Sequence, residues 1–196
     1  MRIFPIAIIF LSLASCRPAE PVPKPRGYAR VTLPERHEYQ LFQQSAFPYV
    51  FEYARTARIS QDSALAKEHP ENQYWLNIVY PDLNATVYLS YNRIRGMDDL
   101  AHLLEDAHFM SFYHSKRADY VKDNAYQNEY GVTGVAYEWG GASASAYQFV
   151  ATDSTRNFLR GALYFDATPN ADSLKPATDF IEKDIAHLMY TLRFKS

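Results

Sequence analysis

Apolar and polar residues alternate along most of this chain, and a period of two predicts β-strands. The clearest pair of strands, residues 74–80 and 85–91, is joined by Pro81-Asp82-Leu83-Asn84, whose residue types favour a tight turn. In the second strand, apolar residues alternate with the more polar Thr86, Tyr88 and Ser90. Further strands are predicted at residues 28–33, 39–42, 49–53, 132–139, 144–152 and 158–166, and residues 60–73 are predicted to form an exposed loop.

Two stretches have a period near 3.6 instead and predict amphipathic helices. The first begins near Asp98 and Asp99, either of which suits the cap, and its apolar stripe is Leu100, Leu103, Leu104, Ala107 and Met110. The second covers residues 174–193, accepts Pro176 in its first turn, and has the stripe Ala177, Phe180, Ile181, Ile185, Leu188 and Leu192. Between the first helix and Asn128 the pattern predicts a helical or irregular segment.

The order of these elements predicts an α+β fold, with a largely antiparallel sheet flanked by helices. The strand at residues 158–166 is apolar at both odd and even positions, so both faces of the sheet are expected to be covered. The order resembles the Mog1/PsbP-like sandwich, a likeness that implies a fold and no function.

The N-terminus has a different pattern. Arg2 precedes an apolar run too short to cross a bilayer, and Leu13-Ala14-Ser15-Cys16 resembles the lipobox of bacterial lipoproteins. We therefore expect a signal peptide at residues 1–15, a lipidated Cys16 with a proline-rich tether at residues 16–27, and a single α+β domain at residues 28–196. An ordinary signal peptide that ends near a cysteine is the alternative.

Composition and charge narrow the function classes. Arg2 is the only charged residue lost with the leader, so the net charge of −2 becomes about −3, which favours neither nucleic acid nor an anionic membrane surface as partner. Cys16 is the only cysteine, so lipidation leaves no thiol for catalysis or for an internal disulfide. The 16 Tyr and 12 Phe favour a β-rich core.

Catalytic and metal-binding patterns are sparse. The chain has no Gly-x-Ser-x-Gly elbow, no His-x-x-x-His pair and no phosphate-binding glycine loop. Glu105 and His108 are spaced as half of a carboxylate-bridged metal site, but a second half is missing. His102, Glu105 and Asp106 are better explained as the solvent-facing side of the first helix. The sequence thus predicts no enzyme, no cofactor and no metal, although two carboxylates that meet only in the fold stay possible.

Three other features are candidates for binding. Asp153, Ser154 and Arg156 occupy a polar hairpin tip of the kind that partners contact. Arg160 lies inside an apolar strand and should need a carboxylate or a set of carbonyls, first of all in a structural role. Five aromatic residues are candidates for a platform that stacks on sugar rings: Tyr88, Tyr91, Tyr137, Trp139 and Tyr147. Packing in the core and on the sheet faces is the favoured interpretation of these residues.

Several strings in the chain point to one family. They include Trp75-Leu76-Asn77-Ile78, Tyr88-Leu89-Ser90-Tyr91, the run Gln148-Phe149-Val150-Ala151-Thr152-Asp153-Ser154, and Phe158-Leu159-Arg160-Gly161-Ala162-Leu163-Tyr164-Phe165. With the lipobox and the closing Phe180-Ile181-Glu182-Lys183-Asp184-Ile185, they resemble the gliding-motility lipoprotein GldD family of Bacteroidetes-type bacteria.

The resemblance implies a non-enzymatic lipoprotein of the gliding machinery, linked to type IX secretion. Its partners would be other lipoproteins of that machinery, with the acyl chains of Cys16 as membrane anchor. Residues 17–20 lack the acidic run of surface-exported lipoproteins, so the expected location is the outer membrane with the domain facing the periplasm. In such bacteria Asp62-Ser63-Ala64 would suit O-glycosylation, at Ser63.

Two other functions remain open from sequence. The first is a periplasmic lipoprotein that binds peptidoglycan or polysaccharide, and the second is a periplasmic hydrolase.

Overall fold

The structure is a computed structural model that describes residues 32–61, 72–113, 118–141, 145–167 and 171–195. The predicted signal peptide, Cys16, the tether and Ser63 lie outside the described residues, as does most of the strand predicted at residues 28–33.

The described residues form ten strands and two α-helices in an α+β arrangement, which confirms the predicted fold class. Seven strands make one antiparallel sheet in the order β3-β4-β5-β9-β8-β7-β6, and three make a second antiparallel sheet in the order β1-β2-β10. The strands are β1 Tyr39–Phe42, β2 Tyr49–Ala54, β3 Arg58–Ser60, β4 Leu76–Tyr80, β5 Ala85–Arg93, β6 Ala118–Gln127, β7 Thr133–Gly141, β8 Tyr147–Thr152, β9 Asn157–Phe165 and β10 Arg193–Phe194; the helices are α1 Met97–Tyr113 and α2 Ala171–Thr191.

The hairpin of β4 and β5 forms where the alternation predicts it. A single turn of 3₁₀-helix, Pro81–Leu83, joins the strands, and Asn84 closes it with a φ of 45°. Asparagine tolerates this left-handed conformation better than most residues. Every second residue of β5 from Ala85 to Tyr91 is buried, and this face points at the main core.

The main core lies between the large sheet and α2. The residues predicted for the apolar stripe of α2 are all buried. Leu159 and Leu163 of β9 face this helix, and the same core takes in β2 of the small sheet. Gly161 lies between them beneath the Phe149 ring, where an added Cβ would stand only 2.0 Å from Cε1 of Phe149. No helix within the described residues is both long and apolar enough to cross a membrane.

The opposite face of the large sheet carries α1. Leu100 and Ala107 of this helix pack with Phe158 and Val150 of the sheet in a second, smaller core cluster. The helix begins at Met97, so Asp98 and Asp99 lie in its first turn and neither is the cap residue; Asp99 instead accepts a hydrogen bond from the backbone N–H of Arg95 at 2.8 Å.

The predicted stripe of α1 needs correction. Leu104 and Met110 are each 41% exposed, and Ser111, outside that stripe, is 1% exposed. Fewer apolar residues of α1 are buried against the sheet than the predicted stripe contains.

Two further differences concern strands. The segment predicted as helical or irregular contains β6, a ten-residue edge strand. Its alternation is weak because, among the described strands, it pairs with β7 alone and leaves Tyr120 and Val121 exposed, so neither face requires a regular set of apolar residues. Arg58–Ser60 forms the short edge strand β3, so Ser60 belongs to a strand and not to the predicted loop, of which residues 62–71 lie outside the described residues.

Candidate functional site

A groove separates α1 from the part of the sheet that it does not cover. It has a volume of about 490 Å³ and runs over β4, β5 and β9. Leu103, Asp106, Ala107 and Met110 of α1 form one wall, whereas the floor includes Arg160. The groove forms because α1 contacts mainly β8 and β9, and no helix among the described elements covers β4 and β5 on this side.

Arg160 lies on the floor of this groove, in the middle of β9. Its Nη2 donates a hydrogen bond of 2.6 Å to Oε1 of Gln148 on the neighbouring strand, and Oε1 also accepts one of 3.2 Å from the Ser111 hydroxyl of α1. Burial lowers the pKa of the Arg160 guanidinium, with Tyr164 acting in the opposite direction. The sequence led us to expect a carboxylate or carbonyls around Arg160, and the partner found is the carbonyl of a side-chain amide.

Two donors in this network lack an acceptor. Within the part of the chain that the structure describes, Nε of Arg160 and Nε2 of Gln148 are both buried without a hydrogen-bond partner. No carboxylate of the described residues forms an ion pair with Arg160. An unpaired buried polar group lowers the stability of a protein by about 1–3 kcal/mol, and a charged group by more. An added acceptor that bonded to these two donors would therefore be stabilising.

The proposed aromatic platform is not formed as one surface. Tyr91, Trp139 and Tyr147 are buried. Tyr88 is 48% exposed at the groove and meets the Tyr164 ring edge-on, with centroids 5.7 Å apart and planes at 76°. The last member, Tyr137, packs instead against His108 and Phe112 of α1.

The hairpin tip between β8 and β9 is organised by Asp153. Its Oδ1 accepts hydrogen bonds from the backbone N–H groups of Thr155, Arg156 and Asn157, and its Oδ2 accepts one from the Asn157 side chain. Although burial acts to raise the pKa of Asp153, these hydrogen bonds lower it to about 2. The carboxylate is therefore occupied within the tip, while Ser154, at a φ of 61°, and Arg156 remain exposed.

The polar side of α1 is arranged as the sequence predicts. His102, Glu105 and Asp106 are exposed. Among the described residues, no group of three or more His, Cys, Asp or Glu side chains is placed to hold a metal ion.

Comparison with known proteins identifies a family. The family model described as gliding motility lipoprotein GldD matches residues 18–194. The chain belongs to this family. The solution structure of cyanobacterial PsbP (CyanoP) from Synechocystis sp. PCC 6803 is similar over 93% of this chain and 99% of that chain, with 9% sequence identity and a TM-score of 0.48. No curated protein matches.

Membership of the GldD family makes this chain a gliding motility lipoprotein, and lipoproteins of this kind are lipid-anchored in the cell envelope. The match begins just after Cys16 and extends through both helices and all ten strands, so it covers the groove and the main core alike.

This GldD-family chain also holds a polar cluster that the sequence analysis missed, on the α2 face. Asp184 of α2 is 2% exposed, and its Oδ1 lies 2.7 Å from Nδ1 of His37. Burial and then the Asp184 charge raise the pKa of Tyr39 to about 12, and the same two causes raise the pKa of Tyr80. The available signal was an acid on the apolar side of a helix, since Asp184 lies three residues after Ile181 and four before Leu188 of the stripe.

A second histidine of the GldD-family chain lies beside this cluster. Nε2 of His187 is 2.7 Å from Oε2 of Glu52, and the His187 ring stacks on Tyr39 with centroids 3.6 Å apart. These contacts tie α2 to β1 and β2, so the cluster joins the helix to the small sheet.

Proposed function

We propose that this protein is a non-enzymatic, lipid-anchored component of the gliding machinery, linked to type IX secretion, that works by binding another protein of that machinery. The binding face is the outer surface of α1 together with the adjoining groove. The observation that carries the proposal is the exposure of large apolar side chains on this helix.

The exposed side chains of α1 continue directly into the groove. Met97 is 74% exposed, Leu104 and Met110 are each 41% exposed, and Met110 also lines the groove wall. Exposed apolar surface rimmed by polar residues is typical of protein contact sites, and methionine adapts to differently shaped partners.

The charges on α1 favour a protein partner over a lipid surface. The helix carries Asp98, Asp99, Glu105 and Asp106 and contains no Lys or Arg. Helices that lie in a membrane interface usually have basic polar faces, which anionic lipids attract. The membrane contact in our proposal is therefore made by Cys16 alone, with residues 17–27 as an extended tether of about 34 Å.

The groove lining supports a binding role rather than catalysis. Asp106 and Arg160 are the acidic and basic side chains among its described lining residues, which include no His, Cys or Lys. A hydrolytic site needs a nucleophile or an activated water beside a base. We accordingly favour binding over the periplasmic hydrolase.

The proposal can be tested in cells with matched surface variants. The α1 variant combines Met97→Ser with Leu104→Ser, and the control is Tyr190→Ser, because Tyr190 is 59% exposed on α2. We expect the α1 variant to abolish colony spreading and to lose chemical crosslinking to a partner protein in cells, with an unchanged protein level by immunoblot, while the control spreads and crosslinks normally. Normal spreading of the α1 variant, or equal defects in both, would contradict the proposal.

The location is tested separately. In our proposal the acylated protein is in the outer membrane and faces the periplasm, so intact protein should partition into the detergent phase and resist protease added to whole cells. The Cys16→Ala form should stay in the aqueous phase. Detergent partitioning of the Cys16→Ala form would contradict the lipid anchor. Cleavage of the unchanged protein in intact cells would contradict the orientation.

Peptidoglycan or polysaccharide binding is the second candidate function. The exposed Tyr88 lies in a groove that Asn77 and Asn92 also line, and an aromatic ring beside side-chain amides is a combination found in sugar-binding sites. Co-sedimentation with purified sacculi, reduced by Tyr88→Ala, would support this function; no co-sedimentation of the unchanged protein would remove it.

A further inference from the structure

Arg160 lies on the floor of a groove and has no carboxylate partner among the residues that the structure describes. A guanidinium has five N–H donors, and in this network Gln148 accepts from Nη2 while Nε is buried without a partner. The cost of burying a charge is recovered only when the charge is paired and fully hydrogen-bonded. An anion that enters the groove from solution would therefore gain more from Arg160 than from an exposed arginine.

The position of Arg160 is fixed from three sides. In the β-ladders it stands opposite Ser90 of β5 and Val150 of β8, and its Nη2 is held by Gln148. Gln148 is itself 1% exposed and bonded to Ser111 of α1. The guanidinium is therefore pre-positioned, which lowers the entropy lost when a planar, bidentate group binds it.

The charges around the groove favour a single carboxylate over a phosphate. Arg160 is the one basic residue among the described lining residues, and Asp106 stands on the opposite wall. A dianionic phosphate would meet one cation and a repelling carboxylate. A monoanionic carboxylate can accept two parallel hydrogen bonds from a guanidinium. A basic group next to that carboxylate would form an ion pair with Asp106.

The remaining surface favours a peptide over a sugar. Leu103, Ala107 and Met110 give the α1 wall an aliphatic surface, and the perpendicular Tyr88 and Tyr164 rings do not form one flat stacking face. Apolar side chains of a peptide fit such a wall, while its backbone can bond to side-chain amides on the floor. The volume of about 490 Å³ is in the ordinary range for a ligand site.

We infer that the groove binds an extended peptide segment of the partner protein, and that an Asp or Glu side chain of this segment pairs with Arg160. The segment carries one acid at that position and is otherwise neutral or basic. This inference rests on the proposed function and names the chemistry of its partner.

The inference is tested by NMR titration of the full mature, lipidated, isotope-labelled chain in detergent micelles. The probes are two blocked peptides, acetyl-Lys-Leu-Glu-Phe-amide and its twin with Gln in place of Glu. We expect the Glu peptide to shift the Arg160 Nε–H resonance and backbone resonances of β5 and β9 in a saturable way. The Gln peptide should bind at least about 10-fold more weakly, because it cannot form the charged hydrogen bond to Arg160.

Three variants separate the site from general effects. Arg160→Gln should abolish the preference for the Glu peptide, and its thermal unfolding shows whether it is folded. Arg156→Gln makes the same change at the exposed hairpin tip and should leave binding unchanged. Asp106→Asn, at an exposed position, should weaken both peptides alike, about 2- to 5-fold, because it removes the carboxylate that suits their Lys, and it should leave the preference for Glu in place.

Equal binding of the two peptides, no saturable shift with either, or binding unaffected by all three variants would overturn the inference. Muropeptides from digested sacculi form a further arm, and shifts of the groove by muropeptides alone would overturn the assignment to a protein segment. Failure here with a spreading defect in the α1 variant would leave the proposed function standing. Peptide binding at Arg160 with normal spreading of the α1 variant would contradict the proposed function instead.

Discussion

The two faces of the large sheet are covered by helices that differ in how much of their apolar surface is buried. On one face, α2 buries Ile181 and Ile185 completely or nearly so and shares its core with the small sheet. On the other face, α1 buries Leu100 and Ala107 and leaves Met110 at an open groove. One side of the sheet forms a closed core. The other side has an open groove and buried hydrogen-bond donors that lack a partner among the described residues.

The difference follows from how many apolar positions each helix turns toward the sheet. A continuous stripe closes the α2 interface, so its side chains contribute stability. The narrower contact strip of α1 leaves apolar side chains in water, which costs stability and is retained most readily where a partner covers them. The face that holds the fold together and the face we assign to binding are therefore separable by mutation.

The largest expected difference comes from truncating one side chain on each helix. Ile181→Ala should lower the free energy of unfolding by about 2–5 kcal/mol, because it opens a cavity in the main core. Leu104→Ala on α1 should change it by less than about 0.5 kcal/mol, since Leu104 is already exposed. Urea denaturation of the two variants measures both values, and similar losses would contradict the contrast between the faces.

A small-to-large change tests the closed core from the opposite direction. Gly161→Ala should destabilise the protein by about 1–3 kcal/mol, because its Cβ would overlap the Phe149 ring. Thermal unfolding measures the loss, and a neutral Gly161→Ala variant would mean that this face tolerates overpacking.

A third prediction concerns pH and the hairpin tip at the end of β8. Because the pKa of Asp153 is lowered to about 2 in the folded state, its stabilising effect is fully present above about pH 4 and is lost as the pH falls toward 2. Solvent exposure reduces the effect to about 1 kcal/mol. Asp153→Asn should thus be less stable than the unchanged protein at pH 7 and nearly equal to it at pH 2.5. A constant difference across this range, measured by urea denaturation, would show that the Asp153 charge is not responsible.

The smallest effect on stability is expected at Arg156. Its side chain is exposed at the tip, so Arg156→Ala should change the free energy of unfolding by less than about 0.5 kcal/mol. The variant therefore isolates any role of the tip in binding. Normal colony spreading of this strain would restrict the binding face to α1 and the groove, and a spreading defect with normal stability would extend it to Ser154 and Arg156.

The elements that the sequence predicts best are those whose burial is complete. The α2 stripe from Ala177 to Leu192 and the β4–β5 hairpin follow their apolar patterns closely because each buries one full face. The α1 stripe fails at Leu104 and Met110, and β6 is missed, because elements with little burial impose no regular pattern on their residues.

The candidate site was only partly predictable for the same kind of reason. Arg160 stands out in the sequence as a charge in an apolar strand, but its partner Gln148 is an ordinary polar residue of another strand. The groove depends on where α1 ends its contact with the sheet, which is a long-range packing property. Asp153 shows that a polar tip residue can also organise its own hairpin, since its carboxylate accepts backbone hydrogen bonds within the tip; its place in an interaction surface stays a prediction.

The most direct test of the binding face is site-specific photo-crosslinking in living cells, with benzoylphenylalanine placed at Met110 beside the groove or at Tyr190 on α2. The account predicts a discrete adduct, identified as a protein by mass spectrometry, from position 110, its loss when Arg160→Gln is added, and no equivalent adduct from position 190. An adduct of equal yield from both positions, or one from position 190 alone, would contradict the assignment of binding to the α1 face.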